Sequence, residues 1–216
     1  MKTDHVQGVS YVASNKTPRD INVIQSWPGP SRYNDTSWKT PSRIAYGGDA
    51  NPSLGGANAV GFQVKPNMEF FCWFKLKLDR TAATRFDDPG LRESEGPGYL
   101  RLPRGKSARD VCTDYLKEIY KLTMSILEQR FSEGILRLTP IEFWFTVPAI
   151  WSDAAKSDTM TAARAAGFGI RPPDNIYLIP EPEAAAISTL KRLTPMGPEE
   201  QLSVSIFRSA VSDMED

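Results

Sequence analysis

The chain is short of histidine, cysteine and net charge. Its 216 residues hold one histidine, His5, two cysteines, Cys72 and Cys112, and 26 basic side chains against 26 acidic ones. A chain that works on nucleic acid or an anionic membrane needs a basic excess to displace counterions from phosphates, so neither partner is expected here. One histidine and two cysteines fall short of the four ligands of a structural zinc site. Two cysteines cannot build a disulfide framework either, so a reducing, cytoplasmic compartment is expected. Long apolar runs are missing too. The longest, residues 143–151, contains Thr146 and Pro148 and falls far below the roughly 20 residues of a membrane span. The opening Met1-Lys-Thr-Asp-His5 lacks the apolar core of a signal peptide.

What is present is ample for a core. With 40% hydrophobic and 24% charged residues, the length suits one domain or part of a larger one, of mixed α/β class. Residues 26–58 and 86–106 are rich in Gly, Pro, Asn, Asp and Ser and read as turns and loops. Between them, residues 20–27, 43–46 and 59–64 have the β-branched and aromatic character of short strands, the last pairing with the one before it. Residues 69–78, EFFCWFKLKL, read equally as strand or short helix.

The clearest element is a helix over residues 108–131. Ser107 followed by Asp110 forms a capping box, and Val111, Tyr115, Leu116, Ile119, Leu122 and Ile126 recur at helical spacing as one apolar stripe. Gly134 follows its end. At 1.5 Å per residue such a helix is roughly 35 Å long. Residues 141–147 then predict a strand closed by Pro148, and Ser152 or Asp153 caps a helix running to about Ala166 with Gly167 after it. A second strand over 175–179 and a second helix over 183–193 complete a βαβ unit with parallel strands. Pro148 and Glu181 directly follow the two strands. Both therefore fall at the carboxyl edge of the sheet, where open parallel sheets bind ligands.

Several motifs invite chemistry, and the residues alone give each a plainer meaning. Arg104-Gly-Lys-Ser107 resembles a phosphate loop, but position 100 is leucine where that loop needs glycine, so a capped helix start is the better reading. Gly47, Gly48, Gly55, Gly56 and Gly61 read as hairpin-loop glycines. Asn15 and Asn34 match glycosylation acceptors by chance. Taken alone, Pro148 terminates a strand. Glu181 and Glu183 favour the positive end of a helix dipole, worth about 0.3–1 kcal/mol. Lys75 and Lys77 lay their stems along the core with their heads in water.

A resemblance changes the weight of these residues. Phe145-Thr-Val-Pro-Ala-Ile-Trp-Ser-Asp153, the alanine-rich stretch to Ala165-Ala-Gly167, and Ile179-Pro-Glu-Pro-Glu-Ala-Ala-Ala-Ile187 resemble, in order and spacing, the ATPase domain of the seventy-kilodalton heat-shock chaperones. Trp151, Glu183, Trp27-Pro-Gly-Pro30 and Trp73-Phe-Lys-Leu resemble the divergent branch of that family. The resemblance implies an actin-like, ribonuclease-H-like α/β fold, here its first lobe only, over residues 1–200, with a divergent tail at 201–216. It implies ATP and Mg2+ as cofactors, and co-chaperones or unfolded clients as partners. Glu181 matches the glutamate that holds magnesium-bound and attacking waters, and Pro148 matches the switch proline. Lys75 matches the lysine near the γ-phosphate, with Lys77 the alternative in a loosely registered stretch. The family's two phosphate loops, Asp-x-Gly-Thr-Thr and Asp-x-Gly-Gly-Gly-Thr, have no counterpart in the 216 residues. The expectation is a lobe truncated at both ends that does not hydrolyse ATP, with a non-enzymatic scaffold as the alternative.

Overall fold

The computed structural model describes residues 6–13, 21–29, 37–80, 100–193 and 204–206. His5, Asn15 and Asn34 lie outside them. The first part of the chain makes small antiparallel pairings. Strand β1 (Val6–Gln7) pairs with β4 (Thr40–Pro41), and β2 (Ser10–Tyr11) with β3 (Asn22–Val23). Among the described residues, the strand expected over 20–27 is thus confined to Asn22–Val23. β5 (Arg43–Tyr46) is the centre of a three-stranded sheet, between β6 (Asn58–Val60) and β7 (Phe71–Cys72).

The hairpin of β5 and β6 is the expected one, but β6 stops short of residue 64. Gly61 has φ +58° and a Cβ there would run into the Thr40 side chain, so the chain turns at this glycine into a 3-10 turn, Gly61–Gln63. The glycine-rich loop between the strands is held by buried Asn51. Its Nδ2 donates to the carbonyls of Tyr46 (2.9 Å) and Glu69 (2.8 Å), and its Oδ1 accepts from the Glu69 N–H (2.9 Å).

Helix α1 spans Ala108–Phe131 and begins with the expected box. The Asp110 N–H donates to Ser107 Oγ (3.2 Å), and the Ser107 N–H donates to Asp110 Oδ2 (2.8 Å). Its buried line departs from the sequence stripe in the second half. Val111, Tyr115, Leu116 and Ile119 are buried as expected, but the line continues through Thr123 and Leu127 while Leu122 and Ile126 are only half-buried. Steps of four from Ile119 hold the 3.6-residue period, and the fully buried Thr123 hydroxyl is satisfied by donating to the Ile119 carbonyl (2.8 Å). The helix ends after Phe131, as expected, with Ser132 at φ +61° closing it, and Gly134 lies inside α2 (Glu133–Leu138).

The βαβ unit is present in register. β8 (Glu142–Val147) and β9 (Asn175–Pro180) run parallel and pair along their whole length, joined by α3 (Asp153–Ala166). Ser152 caps α3 by accepting from the Ala155 N–H (3.3 Å), and Gly167 closes it at φ +120°. Helix α4 (Glu181–Leu193) starts two positions before the expected residue 183, directly at the end of β9. Strand β10 (Val204–Ile206) adds to the other side of β8, giving the order β10-β8-β9.

Phe143 and Phe145 point from β8 into the core, where Phe168 meets each at 5.1 Å in edge-to-face geometry. All three are fully buried between the sheet, α1 and α3. Burial of each is worth about 1.5–3 kcal/mol. On the opposite face the paired Trp144 and Tyr177 stack at 4.5 Å. The architecture is mixed α/β with small sheets, and no helix among the described residues is long and apolar enough to cross a membrane.

Candidate functional site

Three segments meet at the carboxyl edge of the parallel sheet. Val147 of β8 pairs with Pro180 of β9, so the residues that follow them, Pro148 and Glu181, leave the sheet at the same level. Lys75 arrives from a separate part of the chain, a 3-10 turn over Phe74–Leu78 directly after β7. The turn is entered through Trp73 at φ +60°, ψ +14°, a left-handed conformation worth roughly 1–2 kcal/mol of strain in a bulky residue. Packing holds it there. Phe74 and Leu78 are buried on either side of Lys75, and the Phe74 ring lies 5.5 Å from that of Tyr115 on α1.

Lys75 Nζ sits 3.3 Å from Glu181 Oε1, with side-chain exposures of 17% and 15%. The same ammonium lies 5.4 Å from the centre of the buried Trp151 ring. Burial lowers the Lys75 pKa from its ordinary value, and the Glu181 carboxylate opposes that shift. Lys75, and not its neighbour Lys77, makes this ion pair. The expectation that the Lys75 head lies in water is therefore corrected: the turn aims the side chain inward, where the Glu181 carboxylate and the Trp151 ring face offset the lost hydration. Pro148 is half-buried, and its carbonyl accepts from the Trp151 N–H (3.2 Å), turning the chain toward the start of α3. Glu183 is exposed in the first turn of α4.

Asp79, absent from the sequence candidates, ties these parts together. It is fully buried and accepts from both the N–H (3.3 Å) and the hydroxyl (3.2 Å) of Ser152. The end of the Lys75 turn is thus fastened to the start of α3. Its signal in the sequence is a lone carboxylate closing the apolar run 69–78.

Behind Lys75 is a cavity of about 20 Å3, lined by Phe74, Cys112, Tyr115, Thr146 and Thr159 among others. That is room for about one water. The buried Thr146 hydroxyl has no hydrogen-bond partner among the described residues. Burial pushes the Cys112 thiol up to about 12, against the pull of Lys75, so it is protonated and inert at neutral pH.

Lys75 and Glu181 bring an ammonium and a carboxylate together, a cation for an anionic group and a base-like acceptor for a water. Magnesium is held by one or two carboxylates together with substrate phosphates. Glu181 could be one such ligand, but among the described residues no three His, Cys, Asp or Glu side chains gather to hold a metal. These residues do not by themselves make a nucleotide–magnesium site. The Arg104–Ser107 stretch has a structural role instead. Lys106 Nζ bonds Asp114 Oδ2 (2.7 Å) over the Tyr46 ring (4.8 Å), and the Tyr46 hydroxyl donates to the same Asp114 oxygen (2.9 Å). No protein-family model matches this chain, and no curated protein matches it.

Proposed function

We propose that the chain is the first lobe of an actin-like ATPase related to the seventy-kilodalton heat-shock chaperones, with Lys75, Glu181 and Pro148 at the γ-phosphate end of its nucleotide site. The observation that carries this reading is the 3.3 Å contact between Lys75 and Glu181, which are 106 positions apart. The resemblance picks each of them separately, and they meet beyond the carboxyl ends of parallel strands, where α/β sheets bind ligands. A cation at the transferred phosphoryl group and a carboxylate that orients water are the protein groups that phosphoryl transfer uses. Unfolded clients or co-chaperones as partners, and the cytoplasm as location, belong to the same reading.

The backbone N–H groups that cradle phosphates come from glycine-rich loops. Neither family loop occurs in the 216 residues. The chain by itself is therefore expected not to turn over ATP, and calorimetry with magnesium-ATP should show no submillimolar binding. Turnover at millimolar ATP that is lost in Glu181→Ala would refute this expectation.

A second reading, a non-enzymatic scaffold that keeps the lobe, is favoured by the engagement of Lys75. Its ammonium is already paired with Glu181 and stacked on Trp151. A scaffold requires a chain that unfolds cooperatively in isolation and binds a defined protein partner; broad, non-cooperative melting would count against it.

A further inference from the structure

The parallel sheet is covered on one side by a strand half as long as the strand beneath it. The three residues of β10 pair with Phe143, Trp144 and Phe145, whereas β9 pairs with all six residues of β8. The same short strand lies against β2, and so joins the N-terminal hairpin to the parallel sheet. Past its end on β8 stand Thr146, whose buried hydroxyl lacks a partner among the described residues, and Val147.

A strand edge is a row of backbone donors and acceptors that will take any strand of the right register. Parallel pairing is slightly weaker per residue than antiparallel pairing, and a three-residue ladder has few bonds to lose. The connection from α4 to β10 is residues 194–203, with Pro195, Gly197 and Pro198. Ten such residues can span roughly 33–36 Å when extended.

We propose that the β8 edge from Phe143 to Val147 is a strand-receiving site, filled within the chain by Val204–Ile206 and open in exchange to the same segment of a second copy. The segment shown to fit this edge is the chain's own. A second copy offers it in the same register and re-forms each backbone bond of the closed monomer, which is why exchange of an identical element is a low-cost route to a dimer. Nothing in this site depends on nucleotide binding.

Sedimentation velocity on the full chain over a range of concentrations tests it. A monomer–dimer equilibrium is expected in the unmodified chain. Successive N–H groups of a strand point to opposite sides, so of Ser205→Pro and Ile206→Pro one removes a ladder donor. That variant should dimerise at least about tenfold more weakly. It should also bind a labelled peptide of the sequence of residues 201–207, QLSVSIF, about tenfold more tightly than the unmodified chain does, because its edge is vacated. A chain that stays monomeric at every concentration, a dimer that survives in both proline variants, or a folded variant that ignores the peptide would each overturn the proposal. Should both variants fail to fold, hydrogen exchange on the unmodified chain decides. The amides of Phe143–Phe145 that face β10 and those of Val204–Ile206 that face β8 should exchange together through an opening about tenfold more frequent than that of α1. Exchange of those amides only through global unfolding would overturn it.

Discussion

Replacing Glu181 by glutamine keeps the shape of the side chain and removes its charge, leaving the Lys75 ammonium beside the Trp151 ring and an apolar cavity wall without its carboxylate. Breaking a fully buried pair from one side costs about 3–5 kcal/mol. This pair keeps a little solvent contact, so the expected loss at pH 7 is about 2 kcal/mol. With a urea dependence of about 1–3 kcal/mol per molar, that lowers the unfolding midpoint by about 1 M. The pH dependence gives a sharper check. The folded-state pKa of Lys75 is already below its unfolded value, so the unfolded chain binds more protons in the window between them. Stability contributed by this group therefore rises with pH up to the unfolded value of 10.5. Removing Glu181 takes away the interaction that holds the pKa up, so the window widens downward and the rise is steeper. Cys112 pulls the other way above pH 9, where its burial favours the protonated folded form, so midpoints are best compared between pH 7 and 9. With Lys75→Met in place, adding Glu181→Gln should no longer change the midpoint at either pH in the way it does in the unmodified chain. Equal urea midpoints for the unmodified chain and Glu181→Gln, or parallel pH profiles, would refute a coupled buried pair.

Three further outcomes follow from the same packing. Phe168→Ala empties the point where Phe143, Phe145 and Tyr120 converge, and should destabilise by about 3–5 kcal/mol in urea unfolding. Asp79→Asn presents an amide donor to Ser152, which already donates from both its N–H and hydroxyl; a loss of about 1–2 kcal/mol is expected, with Lys75 mobility rising in side-chain amine NMR. Cys72 and Cys112 are both buried, so at pH 8 a disulfide reagent should label neither in the native chain and both after denaturation. Rapid native labelling of Cys112 would contradict its protonated, enclosed state.

Local signals in the sequence suffice where neighbours close in the chain decide the structure. The Ser107–Asp110 box, the Ser152 cap and the Gly167 stop each use a side chain or a backbone conformation within a few residues of the groups it serves. They fail where distant contacts decide. β6 gives way to a turn at Gly61, where Thr40 from another strand leaves no room for a Cβ, and the buried line of α1 runs through Thr123 and Leu127 in place of Leu122 and Ile126. The candidate site divides in the same way. Counting along two parallel strands is enough to put Glu181 and Pro148 at one sheet edge. Asp79 is not legible by any such count, because its partner Ser152 lies 73 positions away.

The sequence alone determined the α/β class, the parallel βαβ unit and the shortage of ligands for zinc, disulfide and histidine chemistry, since composition and short-range periodicity suffice for these. Tertiary structure alone decided which lysine faces Glu181. Lys75 and Lys77 are chemically identical and two residues apart, and only the backbone turn at Trp73 with burial of Phe74 and Leu78 points one of them at the carboxylate. It also placed residues 204–206 beside β8, a pairing across about sixty positions that no local pattern specifies.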